Sequence, residues 1–252
     1  VMDATRITDG AFVSLKRINL TEHPNEIDIA HYFSSEPLIS DRRNHCARVL
    51  DALEVPDNDN EKLLAMQLLR PWNNSRFKTY GEAVGFFAQI FQGLEFMHEH
   101  GVAHRDCTLN NIMMGTSAMY PNSFHPVDMK WNRNWKGNAR HHTRTRRPPR
   151  YYFIDYGLSH RYNPEDGPAL ELPMRGGDKS APEHADSNYN TPCDPFATDI
   201  YYLGNLIRDR FIKVNMPHSL QKKYGYEFIE PLVADMVKED LAKRPTIGEV
   251  VS

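Results

Sequence analysis

Apolar and polar residues alternate through the first third of the chain. After the turn signal Asp9-Gly10, the run Ala11-Phe12-Val13-Ser14-Leu15-Lys16-Arg17-Ile18 predicts a strand. Residues 1–10 read as the preceding strand of the same hairpin. A short helix is expected next, with Ile27, Ile29, Tyr32 and Phe33 near one face. Two further apolar runs, Ala47 to Val55 and Leu63 to Leu69, flank the polar turn Pro56 to Glu61 and form a second expected hairpin.

Beyond Arg70-Pro71 the period lengthens. Gly81 to His100 places Val84, Phe87, Ala88, Phe91, Leu94 and Met97 at helical spacing, an amphipathic pattern. Ala197 to Phe211 and Phe228 to Val237 carry helical patterns too, and strand-like alternation is hard to find in the last quarter. A strand-rich front and a helix-rich back predict an α+β, bilobal architecture, with a small lobe over 1–69, a larger helical lobe over 70–252 and a boundary near Leu69 to Asn74. Thr116 to Arg150 breaks this order. It has little periodicity and ends in the basic run Arg140-His141-His142-Thr143-Arg144-Thr145-Arg146-Arg147-Pro148-Pro149-Arg150. A solvated, mobile insertion is the expectation, and a docking or nuclear-import patch the sharper alternative.

Composition narrows the setting. The chain has 252 residues and a formal net charge of −3, so no global basic field marks it for nucleic acid or an anionic membrane. Cys46, Cys107 and Cys193 fit no metal-ligand spacing and give no disulfide framework, which suits the reducing cytosol or nucleus. No apolar run is long enough to span a bilayer. Val1-Met2-Asp3-Ala4 has no signal-peptide shape and reads as a truncated edge.

The candidate chemistry lies in two short segments. His104-Arg105-Asp106-Cys107-Thr108-Leu109-Asn110-Asn111 has the pattern H-R-D-x-x-x-x-N, in which one loop presents a carboxylate able to take a hydroxyl proton beside an amide oxygen able to hold Mg²⁺. Tyr151-Tyr152-Phe153-Ile154-Asp155-Tyr156-Gly157 is an apolar strand ending in Asp-aromatic-Gly. The Asp is a hard oxygen ligand, and the Gly allows a sharp turn. Alone, each could be an ordinary turn. Four more patterns follow the same order. These are Val13-Ser14-Leu15-Lys16 with Glu26 opening the next helix, Ala181-Pro182-Glu183, Thr198-Asp199-Ile200-Tyr201-Tyr202-Leu203-Gly204, and Lys243-Arg244-Pro245-Thr246.

This ordered set resembles the eukaryotic protein kinases, especially divergent kinase-like proteins of fungi, over nearly the whole chain. The resemblance implies ATP and Mg²⁺ as cofactors and a protein Ser or Thr as acceptor, with no membrane and no specific nucleic acid as partner. It assigns Lys16 to the α- and β-phosphates, Glu26 to positioning Lys16, and Gln67 to Leu69 to the adenine edge. Asn111 and Asp155 are assigned to the metal, and Asp106 to orienting the acceptor hydroxyl. It also implies an ion pair between Glu183 and Arg244, and an anchoring role for Asp199 beneath the catalytic loop. From the residues alone, Lys16 could be a strand-edge lysine and Glu26 a helix N-terminal carboxylate, with Asp28 and Glu36 as alternatives to Glu26.

Several positions depart from the family pattern. A glycine-rich phosphate loop is absent and would lie upstream. Thr108 stands where Ser/Thr kinases carry Lys, Gly176 where a Thr braces the catalytic Asp, and Lys179 where Tyr is usual. The insertion at 116–150 is also far longer than the turn it replaces. These departures open a second expectation, a pseudokinase that binds nucleotide or acts as a scaffold. A third, a small-molecule kinase of the aminoglycoside or choline type, lacks Ala181-Pro182-Glu183 and the distal Arg244. Between Asp155 and Glu183 the only hydroxyl residues besides Tyr are Ser159 and Ser180. Arg105 is therefore expected to face a carboxylate, Glu165, Asp166 or Glu171, rather than a phosphate.

Overall fold

The computed structural model describes residues 1–173, 178–185, 188–213 and 225–252. Gly176, one of the departures above, lies outside them. In chain order the elements are β1 (Met2–Thr5), β2 (Phe12–Asn19), α1 (Glu26–Ser34), β3 (Val49–Glu54), β4 (Glu61–Gln67) and β5 (Arg70–Pro71), followed by α2 (Tyr80–Glu99), β6 (Val102–Ala103), β7 (Ile112–Met114), β8 (Tyr151–Phe153) and β9 (His160–Arg161). The chain ends with α3 (Pro195–Ile207), α4 (Glu230–Met236) and α5 (Ile247–Val251). It divides into two compact units, residues 1–93 with 112–158, and residues 94–111 with 159–252.

The first unit is built on an antiparallel sheet of order β1-β2-β4-β3. Both expected hairpins are present: Ala4 faces Val13 across the first, and Leu53 faces Leu63 across the second. Val13, Ile18, Leu64 and Ala65 are buried and Arg17 is exposed; adjacent Leu64 and Ala65 lie on opposite faces, so both faces of the sheet are covered there. Glu26 is the first residue of α1, and Ile29 and Phe33 are its buried apolar anchors. A second sheet, β5-β7-β8, follows.

The buried face of α2 is offset from the expected one. Val84 and Ala88 are exposed, and the covered apolar side chains are Ala83, Phe86, Phe87, Ile90, Phe91, Leu94, Phe96 and Met97. Both stripes fit a 3.6-residue period. Aromatic area decides between them: Phe86 stacks on Trp72 at 5.1 Å and meets Tyr151 edge-on at 4.8 Å, which a valine could not match.

The 116–150 segment is largely exposed, as expected of a solvated insertion, but it is anchored at a few buried points. Met119, Tyr120 and Phe124 are buried. The guanidinium of Arg70 lies between the Tyr120 and Phe124 rings, 4.5 and 4.7 Å from their centroids, and donates to the Met129 carbonyl at 2.8 Å. Arg144, inside the basic run, is buried and donates to the Trp72 carbonyl at 2.6 Å. The rest of the run is mostly a surface feature: Arg140, His141, Thr143 and residues 145–148 are exposed. The pattern gave no warning, because an irregular loop buries residues without a period.

The second unit is mainly helical. Between Ala197 and Phe211 the expected helix is present as α3, extended by a π-helical turn at Arg208–Ile212. The 3₁₀ turn Glu227–Ile229 and α4 take up the expected helix at 228–237. Asp194 caps α3 by accepting from the Phe196 and Ala197 amides, with Pro195 at the first helical position. Gly204 faces Met236, whose Cβ would lie 2.7 Å from an added side chain, so α3 and α4 approach closely there.

Candidate functional site

The residues singled out from the sequence fall in both units: Lys16, Glu26, Gln67, Leu69 and Asp155 in the first, Asp106 and Asn111 in the second. Each group has its own geometry.

In the first unit β2 carries Lys16, paired across the sheet with Leu64. Its ammonium donates to Glu26 Oε1 at 2.5 Å and to Asp155 Oδ1 at 2.8 Å. Three residues from distant parts of the chain thus form one charge cluster. Asp28 and Glu36, the alternatives to Glu26, are both exposed. The Glu26 side chain is 1% exposed and that of Asp155 43%. Burial, the largest influence, pulls the Lys16 pKa down, but the Glu26 and Asp155 carboxylates more than offset it and the net shift is upward. Burial raises the pKa of Glu26, and Lys16 only partly restores it. Glu26 Oε2 is buried without a hydrogen-bond partner.

The turn after β8 presents Asp155 with φ +66, a left-handed conformation sparsely used by non-glycine residues. Gly157 then sits where a Cβ would come within 3.0 Å of His23 Nδ1, 3.1 Å of Glu26 Oε2 and 3.3 Å of Asp155 Oδ1. A side chain at this position would crowd all three, and glycine avoids that. Tyr156 is buried, and its hydroxyl donates to the Phe153 carbonyl at 2.9 Å and accepts from the Ala47 amide at 3.1 Å. With both bonds made, a tyrosine is accommodated where the family pattern has Phe. Gln67 ends β4 opposite Val13, and Leu69 is buried just beyond it.

In the second unit the loop from His104 to Asn111 folds onto itself. Asn111 Nδ2 donates to the Asp106 carbonyl at 2.9 Å and to Asp106 Oδ2 at 2.8 Å. The Thr108 amide donates to the Asp106 carbonyl at 2.8 Å. Asp199, fully buried at the start of α3, accepts from the His104 and Arg105 amides, each at 2.7 Å, and lies 3.1 Å from His98 Nε2. Ser159 donates to the His104 carbonyl at 3.0 Å. The loop is therefore held both by its own bonds and by Asp199 and Ser159 outside it. A cleft of about 710 Å³ opens beside it, lined among others by Asp106, Thr108, Asn111, Asp178 and Asp209.

Two further expectations are met here. Arg244 grips Glu183 through two parallel bonds of 2.8 Å, and Thr198 adds a third to the same carboxylate at 2.6 Å. Burial pushes the Glu183 pKa up, but Arg244 and Thr198 outweigh it and the net shift is downward. Of the three carboxylates considered for Arg105, Glu171 is its partner at 3.6 Å, and Glu165 and Asp166 are exposed on the 3₁₀ turn Pro164–Asp166. Glu171 is itself held by paired backbone bonds with Cys193 of 3.0 and 2.8 Å.

Reading the sequence missed His23, whose Nδ1 lies 2.9 Å from the Gly157 carbonyl, together with Ser159 and the link from Thr198 to Glu183. No short-range pattern could have revealed contacts between residues 23 and 157. Among the described residues, no three His, Cys, Asp or Glu side chains converge as metal ligands, and no helix is long and apolar enough to cross a membrane.

Comparison with known proteins places this geometry. The family model described as the protein kinase domain matches residues 1–208. The chain is 28% identical over 124 residues to NUAK family SNF1-like kinase 2 of Rattus norvegicus, covering 45% of the chain and 19% of that protein. It is 28% identical over 120 residues to NUAK family SNF1-like kinase 1 of Mus musculus (45% and 18%). With the serine/threonine-protein kinase PLK4 of Danio rerio it shares 27% over 124 residues (46% and 13%). The matched stretch spans less than a fifth of each of these relatives.

Proposed function

The chain belongs to the protein kinase family, and from that premise we propose that it transfers the γ-phosphate of ATP to a protein Ser or Thr in a Mg²⁺-dependent reaction. The observation that carries this reading is Lys16 held at 2.5 Å by Glu26 and at 2.8 Å by Asp155. A strand-edge lysine would extend into water, whereas this ammonium is fixed by a carboxylate that is almost wholly buried.

The donor set suits a hard cation. Asp155 offers a half-exposed carboxylate, and Asn111 spends its amide nitrogen on Asp106, leaving the oxygen uncommitted. Mg²⁺ is commonly held by one or two such oxygens together with phosphates and water. When bound, Mg²⁺ would neutralise charge on the phosphate oxygens. In this reading Lys16 orients the α- and β-phosphates and Glu26 keeps Lys16 extended. Backbone groups from Gln67 to Leu69 meet the adenine edge. The bonds from Asn111 fix the carboxylate of Asp106, which accepts the proton of the acceptor hydroxyl. The lobe division at residue 69 and a cytosolic or nuclear setting belong to the same proposal.

Thr108 favours a second reading, a pseudokinase that binds nucleotide without turnover. It lines the cleft beside Asp106 but brings no positive charge to a developing phosphoryl charge. Loss of one preorganised donor slows chemistry by about 10²–10³-fold, so slow transfer is expected rather than none. The test compares wild type with Asp106→Asn for Mg²⁺-dependent γ-phosphate transfer to protein. A signal lost in the variant supports the enzyme. Equal signals overturn it, and nucleotide binding without transfer leaves the pseudokinase.

A further inference from the structure

The charge cluster of the first unit draws its members from three separate elements: Lys16 from β2, Glu26 from α1 and Asp155 from the turn after β8. Charge alone does not secure this arrangement. Two carboxylates share one ammonium, at 2.5 and 2.8 Å. Burial foremost, and the Asp155 charge to a smaller degree, raise the Glu26 pKa against the pull of Lys16, so the two carboxylates repel each other. Asp155 also stands at φ +66, a conformation that persists only where the surroundings enforce it. The turn therefore needs support from outside itself.

His23 is bonded to all three elements. Its amide donates to the carbonyl of Asn19, the last residue of β2, at 2.9 Å. Its own carbonyl accepts from the amide of Glu26, the first residue of α1, at 3.4 Å. Its ring nitrogen Nδ1 lies 2.9 Å from the Gly157 carbonyl, in the turn. A carbonyl can only accept, so Nδ1 carries the proton and donates. The fit is close, since a Cβ added at Gly157 would lie 3.0 Å from that nitrogen. Near the other end of α1, the Phe33 and Tyr156 rings meet with centroids 6.5 Å apart. The helix and the turn are thus joined at both ends, by an apolar contact at one and by His23 at the other.

We propose that His23 is a positioning residue for the nucleotide and metal site: its Nδ1–H clips the Asp155 turn to β2 and α1 and so keeps the Asp155 carboxylate beside Lys16. This role rests on the phosphotransfer reading, in which Asp155 holds the metal, and His23 acts through Asp155 rather than on a substrate. Without the clip the turn keeps its internal bonds, from the Gly157 amide to Asp155 Oδ1 at 3.4 Å and from the Tyr156 hydroxyl to the Phe153 carbonyl. It loses a bond to the elements that carry Lys16 and Glu26, and the repulsion between the two carboxylates is less opposed.

Two measurements on the full chain test this. In the ligand-free protein, His23→Ala is expected to speed amide hydrogen exchange at residues 155–158 about fivefold, the worth of one hydrogen bond. Titration calorimetry with ATP, in Mg²⁺ and in EDTA, is expected to show a loss of similar size in Mg²⁺ and none in EDTA. His23→Asn offers an amide N–H close to the position of Nδ1 and is expected to restore both readouts. A merely structural role would lower the melting temperature and leave ATP affinity unchanged. Unaltered exchange at 155–158 in His23→Ala removes the clip, whatever the protein does with ATP. Faster exchange with unaltered Mg²⁺-dependent affinity overturns the positioning role alone. An equal loss in EDTA overturns it too, since the effect would not pass through Asp155. So does an Asn variant no better than Ala, since the N–H would then not be what acts. Wild type that binds ATP equally with and without Mg²⁺ overturns the phosphotransfer reading and this role with it.

Discussion

Two buried charge clusters, one in each unit, have opposite economies. In the second unit Glu183 is saturated: Arg244 and Thr198 occupy Oε1, and Arg244 occupies Oε2. Arg244 is equally committed, with further bonds to the Ala197 and Lys238 carbonyls, and its side chain is fully buried. In the first unit the cluster of Lys16, Glu26 and Asp155 is incomplete. Glu26 Oε2 has no partner, and the Asp155 side chain is 43% exposed. A bridge whose valences are all spent can only hold structure. One that includes a half-exposed carboxylate, Asp155, still presents an oxygen to its surroundings.

The comparison is best tested by breaking the saturated pair. Arg244→Ala is expected to cost about 3–5 kcal/mol, because Glu183 is left as an uncompensated buried charge. Chemical denaturation measures this. A cost below 1 kcal/mol would show that water reaches Glu183 and that the two clusters do not differ as described.

Acid should act through buried histidines first and through the paired carboxylate afterwards. His45 is buried, donates from Nδ1 to the Tyr151 carbonyl at 2.7 Å, and has its pKa lowered by burial from 6.5 to about 4. Between those values the unfolded chain binds the extra proton, so stability falls as pH drops from 6.5 towards 4, by up to about 3 kcal/mol. Glu183 has the depressed pKa of a paired carboxylate. Its contribution is present above the ordinary carboxylate value of 4.5 and is lost as pH falls through its lower folded value. His184 in the second unit is also buried with its pKa lowered by burial, so hydrogen exchange between pH 7 and 4 should show both units loosening below pH 6.5. His45→Asn should flatten the upper part of this profile, and an unchanged profile would remove His45 from the account.

Asp155→Asn probes the open cluster. A carboxylate so exposed contributes little to folding, about 1 kcal/mol or less, yet Mg²⁺-dependent ATP affinity is expected to disappear. Unaltered affinity, measured by calorimetry with and without Mg²⁺, would exclude Asp155 as the metal ligand. The smallest effect is expected at Glu171, a partly exposed partner of Arg105. Glu171→Ala should change stability by less than about 1 kcal/mol. It should nevertheless loosen residues 165–173, measured as faster hydrogen exchange there, if this carboxylate stands in for a phosphate. Mass spectrometry showing a stoichiometric, activity-linked phosphate between Asp155 and Glu183 would contradict that role.

Much of the fold was legible in advance because its signals are local. Alternation marked β2, β3 and β4, the 3.6-residue period marked α2 and α3, and Asp9-Gly10 and Pro56 to Glu61 marked the turns. Motif order paired residues far apart in the chain, and the structure joins Lys16 to Glu26, Glu183 to Arg244 and Asp199 to the loop after His104. The face of α2 was misplaced because two stripes satisfied one period, and only packing against Trp72 and Tyr151 favoured Phe86 over Val84.

The sequence by itself determined the order of elements and the identity of the charged groups, since periodicity and motif spacing are properties of neighbouring residues. Tertiary structure alone decided how the charges are spent. Whether Arg144 belongs to a surface basic run or to a buried wall, whether Glu26 keeps an open oxygen, and which of three carboxylates meets Arg105 all depend on segments distant in the chain. Burial and hydrogen-bond saturation arise only when those segments pack together, and the desolvation of a charge depends on its whole surroundings rather than on its neighbours in sequence.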